Sequence, residues 1–171
     1  MRCIWSMIFC LMTSPLNASS LDRLGYSDLV ILGESRLTVL FWDVYDARLY
    51  VTDGIYDPNK PFALVLSYLR PLSGSDIAER SIEEIRNQGS DDESALTAWE
   101  SQLKAIFPDV VEGDQIVGIS DPMEGARFFL NDSFIGTITD LNLSRRFFGI
   151  WLSEKTSEPE LRKSLLGLGQ K

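Results

Sequence analysis

The sequence predicts an α+β fold, because its β-rich and helical stretches are grouped along the chain. Residues 29–70 and 114–138 are rich in β-branched and aromatic residues, whereas residues 76–106 carry apolar residues at helical spacing. A further helical stretch follows the later strands. An α/β protein would instead alternate single strands with single helices. No repeat or low-complexity stretch divides the chain, so we expect one domain over residues 21–171.

The N-terminal residues have the pattern of an export signal. Arg2 precedes an apolar stretch, Cys3–Met12, which has the length of a signal-peptide core and is too short for a membrane span. Thr13-Ser14-Pro15 ends this stretch, and Ala18-Ser19-Ser20 offers small residues for cleavage. The alternative is a buried first helix or strand. We expect a signal peptide over residues 1–20, and therefore a periplasmic or secreted protein.

The first β-rich stretch begins with a short apolar run before Gly33 and continues as one long strand over residues 36–51. Apolar residues occupy both parities of this strand, which predicts a sheet covered on both faces. Its length predicts a bend or bulge near Asp43. A turn over residues 57–61 leads to a strand over residues 62–70. One parity of the long strand contains Leu37, Val39, Phe41, Tyr45, Ala47, Leu49 and Val51.

Two helices are predicted in the middle of the chain. The first covers residues 76–87 and is ended by Gly89. Ser90 and Glu93 have the spacing of a capping box, which predicts the start of the second helix. Pro108 ends that helix. Its apolar stripe, spaced at three and four residues, consists of Leu96, Trp99, Leu103 and Ile106.

The later part of the chain is predicted to return to strands. A strand over residues 114–120 is followed by strands over 126–130 and 134–138. The intervening Asn131-Asp132-Ser133 is a good hairpin turn.

Two further helices follow these strands. Asp140 is a candidate cap for a short helix over residues 141–148, with Gly149 at its end. Ser157 and Glu160 have the spacing of a second capping box, which opens a helix through Leu168.

The composition excludes several classes of chemistry. The chain has no histidine, which removes Ser-His-Asp and Cys-His catalytic units and His-ligated metals. Both cysteines, Cys3 and Cys10, lie within the predicted signal peptide. A formal charge of −9 and the lack of a basic run argue against a nucleic-acid partner. We expect no cofactor, no metal site and no stable membrane span; the oligomeric state is not predicted.

Several segments, taken in order, resemble chalcone isomerase-like domains of bacterial exported proteins. Residues 33–51 (GESRLTVLFWDVYDARLYV) are similar to the second and third strands of such domains. Four further segments are similar to later parts of these domains: residues 107–119, the hairpin RFFLNDSFIGTI, the segment RRFFGIWLSE and the PELRKSLLG helix. The resemblance implies an open-faced β-sandwich, in which a large antiparallel sheet packs against a layer of helices with a hydrophobic cleft between them. Family members include isomerases that close a flavonoid ring, plastid proteins that bind fatty acids, and bacterial members without an assigned reaction.

The same resemblance gives candidate site residues. The family's arginine steadies an anionic oxygen at the cleft and corresponds to Arg36, which is the candidate catalytic and ligand-binding residue here. The alternative for Arg36 is a strand arginine paired with a nearby acid. Tyr45 stands where the isomerases have a threonine, and with Tyr68 it is a candidate ligand for a polar head; its alternative is a packed core aromatic. Ser157 echoes a late family residue, or is only a helix N-cap.

The family's remaining catalytic pattern is missing. The isomerases carry Tyr-x-x-Lys-x-x-x-Asn on the cleft helices, and residues 76–106 contain no tyrosine. We therefore expect a protein that binds a small hydrophobic anionic ligand, of fatty-acid or phenolic type, without established catalysis. The alternative is an intramolecular lyase or isomerase of an enone or phenolic substrate, with Arg36 stabilising an oxyanion. Whether the protein is an enzyme stays open at this stage.

Overall fold

The structure, a computed structural model, describes residues 20–168. The predicted signal peptide lies outside these residues apart from Ser20. Six antiparallel strands form one sheet in the order of the chain. The strands are β1 (Val30–Val39), β2 (Trp42–Val51), β3 (Phe62–Tyr68), β4 (Gln115–Asp121), β5 (Gly125–Leu130) and β6 (Ser133–Ile138).

A layer of helices covers one face of the sheet, so the predicted α+β open-faced architecture is confirmed. Two helices connect β3 to β4, and two follow β6. A further short helix precedes β1. The helices are α1 (Ser20–Arg23), α2 (Gly74–Asn87), α3 (Glu93–Ile106), α4 (Leu141–Leu152) and α5 (Pro159–Leu165). Within residues 20–168, none of the helices is long and apolar enough to cross a membrane.

The single long strand predicted over residues 36–51 from the residue pattern is wrong: this stretch lies in a hairpin of β1 and β2, as the resemblance of residues 33–51 to two strands implies. The chain reverses at Leu40 and Phe41, and Leu40 has a positive φ of 58°. Neither residue is a usual turn former, which is why the sequence pattern did not show the reversal. The predicted irregularity near Asp43 is confirmed, since the register shifts between Leu37 and Thr38. The hairpin at Asn131 and Asp132 is also confirmed, with both residues at positive φ.

The helix bounds follow local capping. The cap of α3 is Asp92 rather than the predicted Ser90, because the Asp92 carboxylate accepts hydrogen bonds from two backbone N–H groups of the first turn. Asp140 caps α4 as predicted. That helix continues past Gly149 to Leu152, since the apolar residues beyond the glycine pack into the core. The N-cap of α5 is Glu158, not Ser157, and the helix ends at Leu165.

The main core lies between the sheet and the helices, and aromatic rings fill one end of it. Phe128 of β5 is 1% exposed and meets the rings of α4 edge-to-face and stacked, at centroid distances of 5.2 and 6.3 Å. The apolar stripe of α3 is part of this core, as the sequence predicts. The ring cluster consists of Phe62, Phe107, Phe128, Phe147, Phe148 and Trp151.

The opposite face of the central strands is covered by the segment before β1. Leu21 and Leu29 are 2% and 8% exposed and pack with Val65 and Val117 in a second apolar cluster. Both faces of the sheet are thus covered at the central strands, but the prediction is wrong for residues 36–51, the stretch from which it was made. The outer face of β1 and β2 is different, since it carries ion pairs such as that between Glu34 and Arg48.

The close approach of α5 to β1 depends on Gly33. A Cβ at this position would lie 2.2 Å from the carbonyl oxygen of Ser164. A side chain here would force the helix away from the strand. The approach holds α5 against β1 and places Leu161 in the wall of a cavity between the sheet and the helices.

Candidate functional site

A cavity of about 570 Å³ lies between the sheet and the helix layer, at the end where β1 and β3 finish and β2 begins. This volume falls within the range of small-molecule sites. Helices α2, α4 and α5 form the opposite wall. The lining residues are Leu37, Val39, Val44, Tyr45, Leu66, Tyr68, Arg70, Leu72, Asp76, Ile77, Arg80, Ser81, Glu84, Ile150, Trp151, Ser157, Glu158 and Leu161.

Strand alternation explains which sheet residues line the cavity. Tyr45 pairs with Leu37 on one side and with Tyr68 on the other, so these three side chains share the inner face. The rings of Tyr45 and Tyr68 meet edge-to-face with centroids 6.0 Å apart. The two tyrosines predicted as ligand-binding residues are thus neighbours in the cavity wall.

The irregularity in β2 adds one more apolar side chain to this wall. Residues 43 and 45 pair with successive residues of β1, which leaves Val44 as the extra residue of a bulge. The Val44 carbonyl accepts a hydrogen bond from the Leu69 backbone N–H, at 2.9 Å. The bulge places Val44 in the cavity lining.

Tyr45 joins the sheet to the helix layer. Its hydroxyl oxygen accepts a hydrogen bond from Trp151 Nε1, at 2.9 Å. Burial raises the pKa of Tyr45 far above its ordinary value, and it also raises that of Tyr68. Both phenols are therefore neutral at physiological pH. The Tyr45 hydroxyl hydrogen is left for a partner in the cavity, because the bond from Trp151 uses only the oxygen.

An arginine and a glutamate of α2 form an ion pair in the wall of the cavity. Arg80 donates to Glu84 Oε1 at 2.7 Å and to Glu83 at 2.8 Å, so its charge is already compensated. The Glu84 side chain is 6% exposed. Its second oxygen, Oε2, has no hydrogen-bond partner among the described residues. A ligand or water that donates a hydrogen bond would satisfy this oxygen.

Arg70 is the cation that sequence reasoning missed. It follows β3, is half-buried and lines the cavity, with its guanidinium 5.4 Å from the centre of the Trp42 ring. Within residues 20–168 it forms no ion pair and no hydrogen bond through its side chain. We call the part of the cavity where Arg70 and the half-exposed Val39 meet solvent the cavity mouth. The donors of Arg70 are therefore available to an anionic group at this mouth. The sequence signal was weak, since an arginine after a strand is usually solvated.

Arg36 lies away from the cavity. It pairs across the strands with Asp46, next to the inward Leu37–Tyr45 pair, and alternation therefore places it on the outer face. Its guanidinium donates to Asp46 at 2.7 Å and to Asp43 at 2.9 Å. Both carboxylates raise the pKa of Arg36 further above its ordinary value. The arrangement corresponds to the paired-arginine alternative, and it gives no contact with a molecule in the cavity.

Ser157 is in the cavity lining and is not the N-cap of α5. The neighbouring Thr156 takes over local hydrogen bonding, since its hydroxyl accepts from the Glu158 backbone N–H. Ser157 is an exposed residue of the lining, at the position where the resemblance gives a family serine or threonine. The N-cap alternative for this residue is wrong.

A second depression of about 590 Å³ lies on the solvent side of α2. It is open and lined mainly by charged side chains, such as Glu79, Arg80 and Glu83, which pair with one another or with Lys104. This surface lacks the apolar enclosure of a small-molecule site. In the described part of the chain, no group of acidic, cysteine or histidine side chains is arranged to hold a metal ion.

The fold and the cavity together define a class: an open-faced α+β sandwich with an apolar chamber between sheet and helices. Residues 22–167 match the family model described as chalcone isomerase-like. The chain belongs to the chalcone isomerase-like family. No curated protein sequence matches it.

A solved structure of the same fold is that of a fatty-acid binding protein from Arabidopsis thaliana. The two chains superpose with a TM-score of 0.62 at 15% sequence identity. The match covers 82% of this chain and 87% of the other. At this identity the likeness establishes the fold.

The buried tyrosines predict a loss of stability at alkaline pH. Burial raises the pKa of Tyr56 from 10.0 to about 12, and that of Tyr45 still further. The folded state then holds a proton that the unfolded state has lost, so the free energy of unfolding falls as pH rises above about 10. Urea denaturation between pH 7 and pH 12 measures this slope. The Tyr45→Phe variant lacks one titrating hydroxyl, so its free energy of unfolding should fall less steeply as pH rises. An equal slope in the two proteins would contradict the raised pKa of Tyr45.

Proposed function

We propose that the protein binds a small hydrophobic molecule with an anionic head in the cavity between sheet and helices. The observation that carries this proposal is the chamber itself. Eleven of its eighteen lining residues are apolar or aromatic, such as Leu66, Ile77 and Leu161, and seven are polar or charged. Binding sites for small apolar ligands have this composition, because burial of the ligand supplies affinity and the polar groups fix its orientation.

The apolar body of the ligand occupies the space beside Tyr45 and Trp151. The size of the chamber, about 570 Å³, suits a fatty acid or a phenolic acid. The similar structure from Arabidopsis thaliana is that of a fatty-acid binding protein, which supports the fatty-acid class for this chain as well.

The anionic head binds at the mouth, and Arg70 is its partner. Arg80 also lines the cavity, but Glu83 and Glu84 hold its guanidinium. Arg70 has no such competitor among the described residues and is held over Trp42. Tyr45 and Tyr68 are neutral, so their hydroxyls approach an anion without charge repulsion.

A phenolic ligand is the second candidate, and Glu84 is the observation that favours it. The unpartnered Oε2 of this buried carboxylate accepts a hydrogen bond from a hydroxyl group of the ligand. A saturated fatty acid cannot supply a donor along its chain. A preference for hydroxylated ligands that is lost in Glu84→Leu would assign the phenolic class.

Replacement of Arg70 should weaken binding of a carboxylate ligand. For Arg70→Gln we expect about tenfold weaker binding of dodecanoate, since a charge-assisted hydrogen bond is lost at a half-buried site. Dodecanol lacks the charge, and its affinity should not change. Isothermal titration calorimetry measures both ligands.

Arg36→Gln is the matched control for this experiment. It removes the same charge from the outer face of the sheet, where Arg36 meets only Asp43 and Asp46. Dodecanoate affinity should remain at the level of the unmodified protein. Equal losses in the two variants, or no binding of either ligand, would contradict the proposal.

We further propose that the protein is exported to the periplasm or secreted, with cleavage of the signal peptide near residues 18–20. The burial of Leu21 supports this site, because cleavage before it leaves the second apolar cluster intact. Intact mass spectrometry of the protein from its host should show an N-terminus between residues 19 and 21. Retention of Met1 in a cytoplasmic fraction would refute export.

A further inference from the structure

The turn between β1 and β2 carries four consecutive exposed apolar residues. Val39, Leu40, Phe41 and Trp42 are 50%, 84%, 94% and 64% exposed. We call these residues, 39–42, the apolar tip. An exposed apolar group of this kind on a single turn marks a contact surface rather than a structural need.

The backbone of the apolar tip supports the same conclusion. Leu40 has a φ of 58°, a conformation that glycine or asparagine adopts more readily than leucine. The turn thus places a bulky apolar residue where it is strained and gains no burial. A sequence selected only for folding would have a different residue there, and such departures concentrate at functional sites.

The apolar tip is continuous with the cavity mouth. Val39 lines the cavity, and so does Val44, two residues after the tip. Arg70 joins the two features, since it lines the mouth and lies over the ring of Trp42. A molecule that leaves the cavity at this point therefore passes beside the tip.

The charges near the apolar tip are compensated. The tip itself has no charged residue. Asp43, which follows it directly, accepts from Arg36 at 2.9 Å and from Thr38 at 2.7 Å, and Asp46 pairs with the same arginine. Without this pairing, two carboxylates would lie beside the tip and oppose its entry into a low-dielectric medium.

We propose that the apolar tip inserts into the surface of a lipid bilayer and brings the cavity mouth to the membrane. Trp42 suits the interfacial zone, where an amphipathic ring is favoured, and the long side chain of Arg70 reaches the headgroups. Four residues are far fewer than the roughly 20–30 per side of a stable protein interface. A reversible membrane contact needs less apolar area, and the adjoining cavity accounts for its place in the fold.

Flotation with phosphatidylcholine vesicles tests this contact in the absence of any cavity ligand. We expect the unmodified protein to float with the vesicles, and Phe41→Ser to lower its partition coefficient about tenfold. Met123→Ser is the matched control: Met123 is 85% exposed, in the turn between β4 and β5 at the opposite end of the sheet. This control should float as the unmodified protein does.

Leu40→Gly separates membrane binding from folding. Glycine adopts positive φ without strain, so the thermal midpoint should stay unchanged or rise while flotation falls. The proposal is overturned if the unmodified protein does not float, or if Met123→Ser reduces flotation as Phe41→Ser does. It is also overturned if Phe41→Ser dissociates a dimer seen by size-exclusion chromatography. Leu40 and Phe41 do not line the cavity, so we expect both tip variants to bind dodecanoate in solution as the unmodified protein does, and failure of the cavity proposal would appear separately.

Discussion

The hydrogen bond between Trp151 and Tyr45 holds the helix layer over the sheet at the point where the core is left unfilled. Toward β5 and β6 the layers are joined by stacked and edge-on aromatic rings. At β1 to β3, helices α2, α4 and α5 stand over an open space that apolar side chains such as Ile77, Trp151 and Leu161 line without filling it. The Tyr45 hydroxyl oxygen lies 2.9 Å from Trp151 Nε1, so this hydrogen bond links the two walls of the space. Because both polar groups are buried, separating them would leave each without a partner, which fixes the position of α4 over the cavity.

Much of the fold was predictable because regular patterns determine it. The apolar stripe of α3 predicted the correct buried face, and Asn131-Asp132 predicted the correct turn. The residue pattern did not predict the reversal at Leu40, since leucine and phenylalanine are not usual turn formers, whereas the resemblance of residues 33–51 to two strands implies it. The N-caps predicted at Ser90 and Ser157 are wrong. Asp92 caps α3, because its carboxylate accepts hydrogen bonds from the first-turn N–H groups, and the N-cap position of α5 is Glu158.

The candidate site was predictable only in part. Tyr45 and Tyr68 lie in the cavity wall, where the sequence placed them as ligand candidates. Arg36 has the opposite parity to Leu37 and Tyr45, so alternation alone would have placed it on the other face; the family resemblance favoured the cleft instead. The sequence around Arg70 contains no motif that marks it as a binding residue. Its position in the cavity wall depends on β3, the β1–β2 turn and α2, which are far apart in the sequence and meet in the folded structure. Long-range proximity of this kind is not encoded in any short pattern.

The division of the molecule into a closed aromatic end and an open end explains how one fold combines stability with binding. The filled core and the segment over the outer face hold the sheet rigid, so the cavity need not collapse. Arg36, although outside the cavity, compensates the acids beside the β1–β2 turn. Within residues 20–168, Arg70 is thus a cation at the mouth that no carboxylate holds, next to an uncharged apolar turn.

Native mass spectrometry of the protein, purified from its host without detergent, tests the central claim most directly. The account predicts a complex with one small hydrophobic molecule, with an added mass on the order of 200–400 Da. Collisional activation should release the molecule and leave the folded chain. A spectrum of the ligand-free chain alone, together with no thermal shift on addition of fatty acids or phenolic acids, would contradict the account.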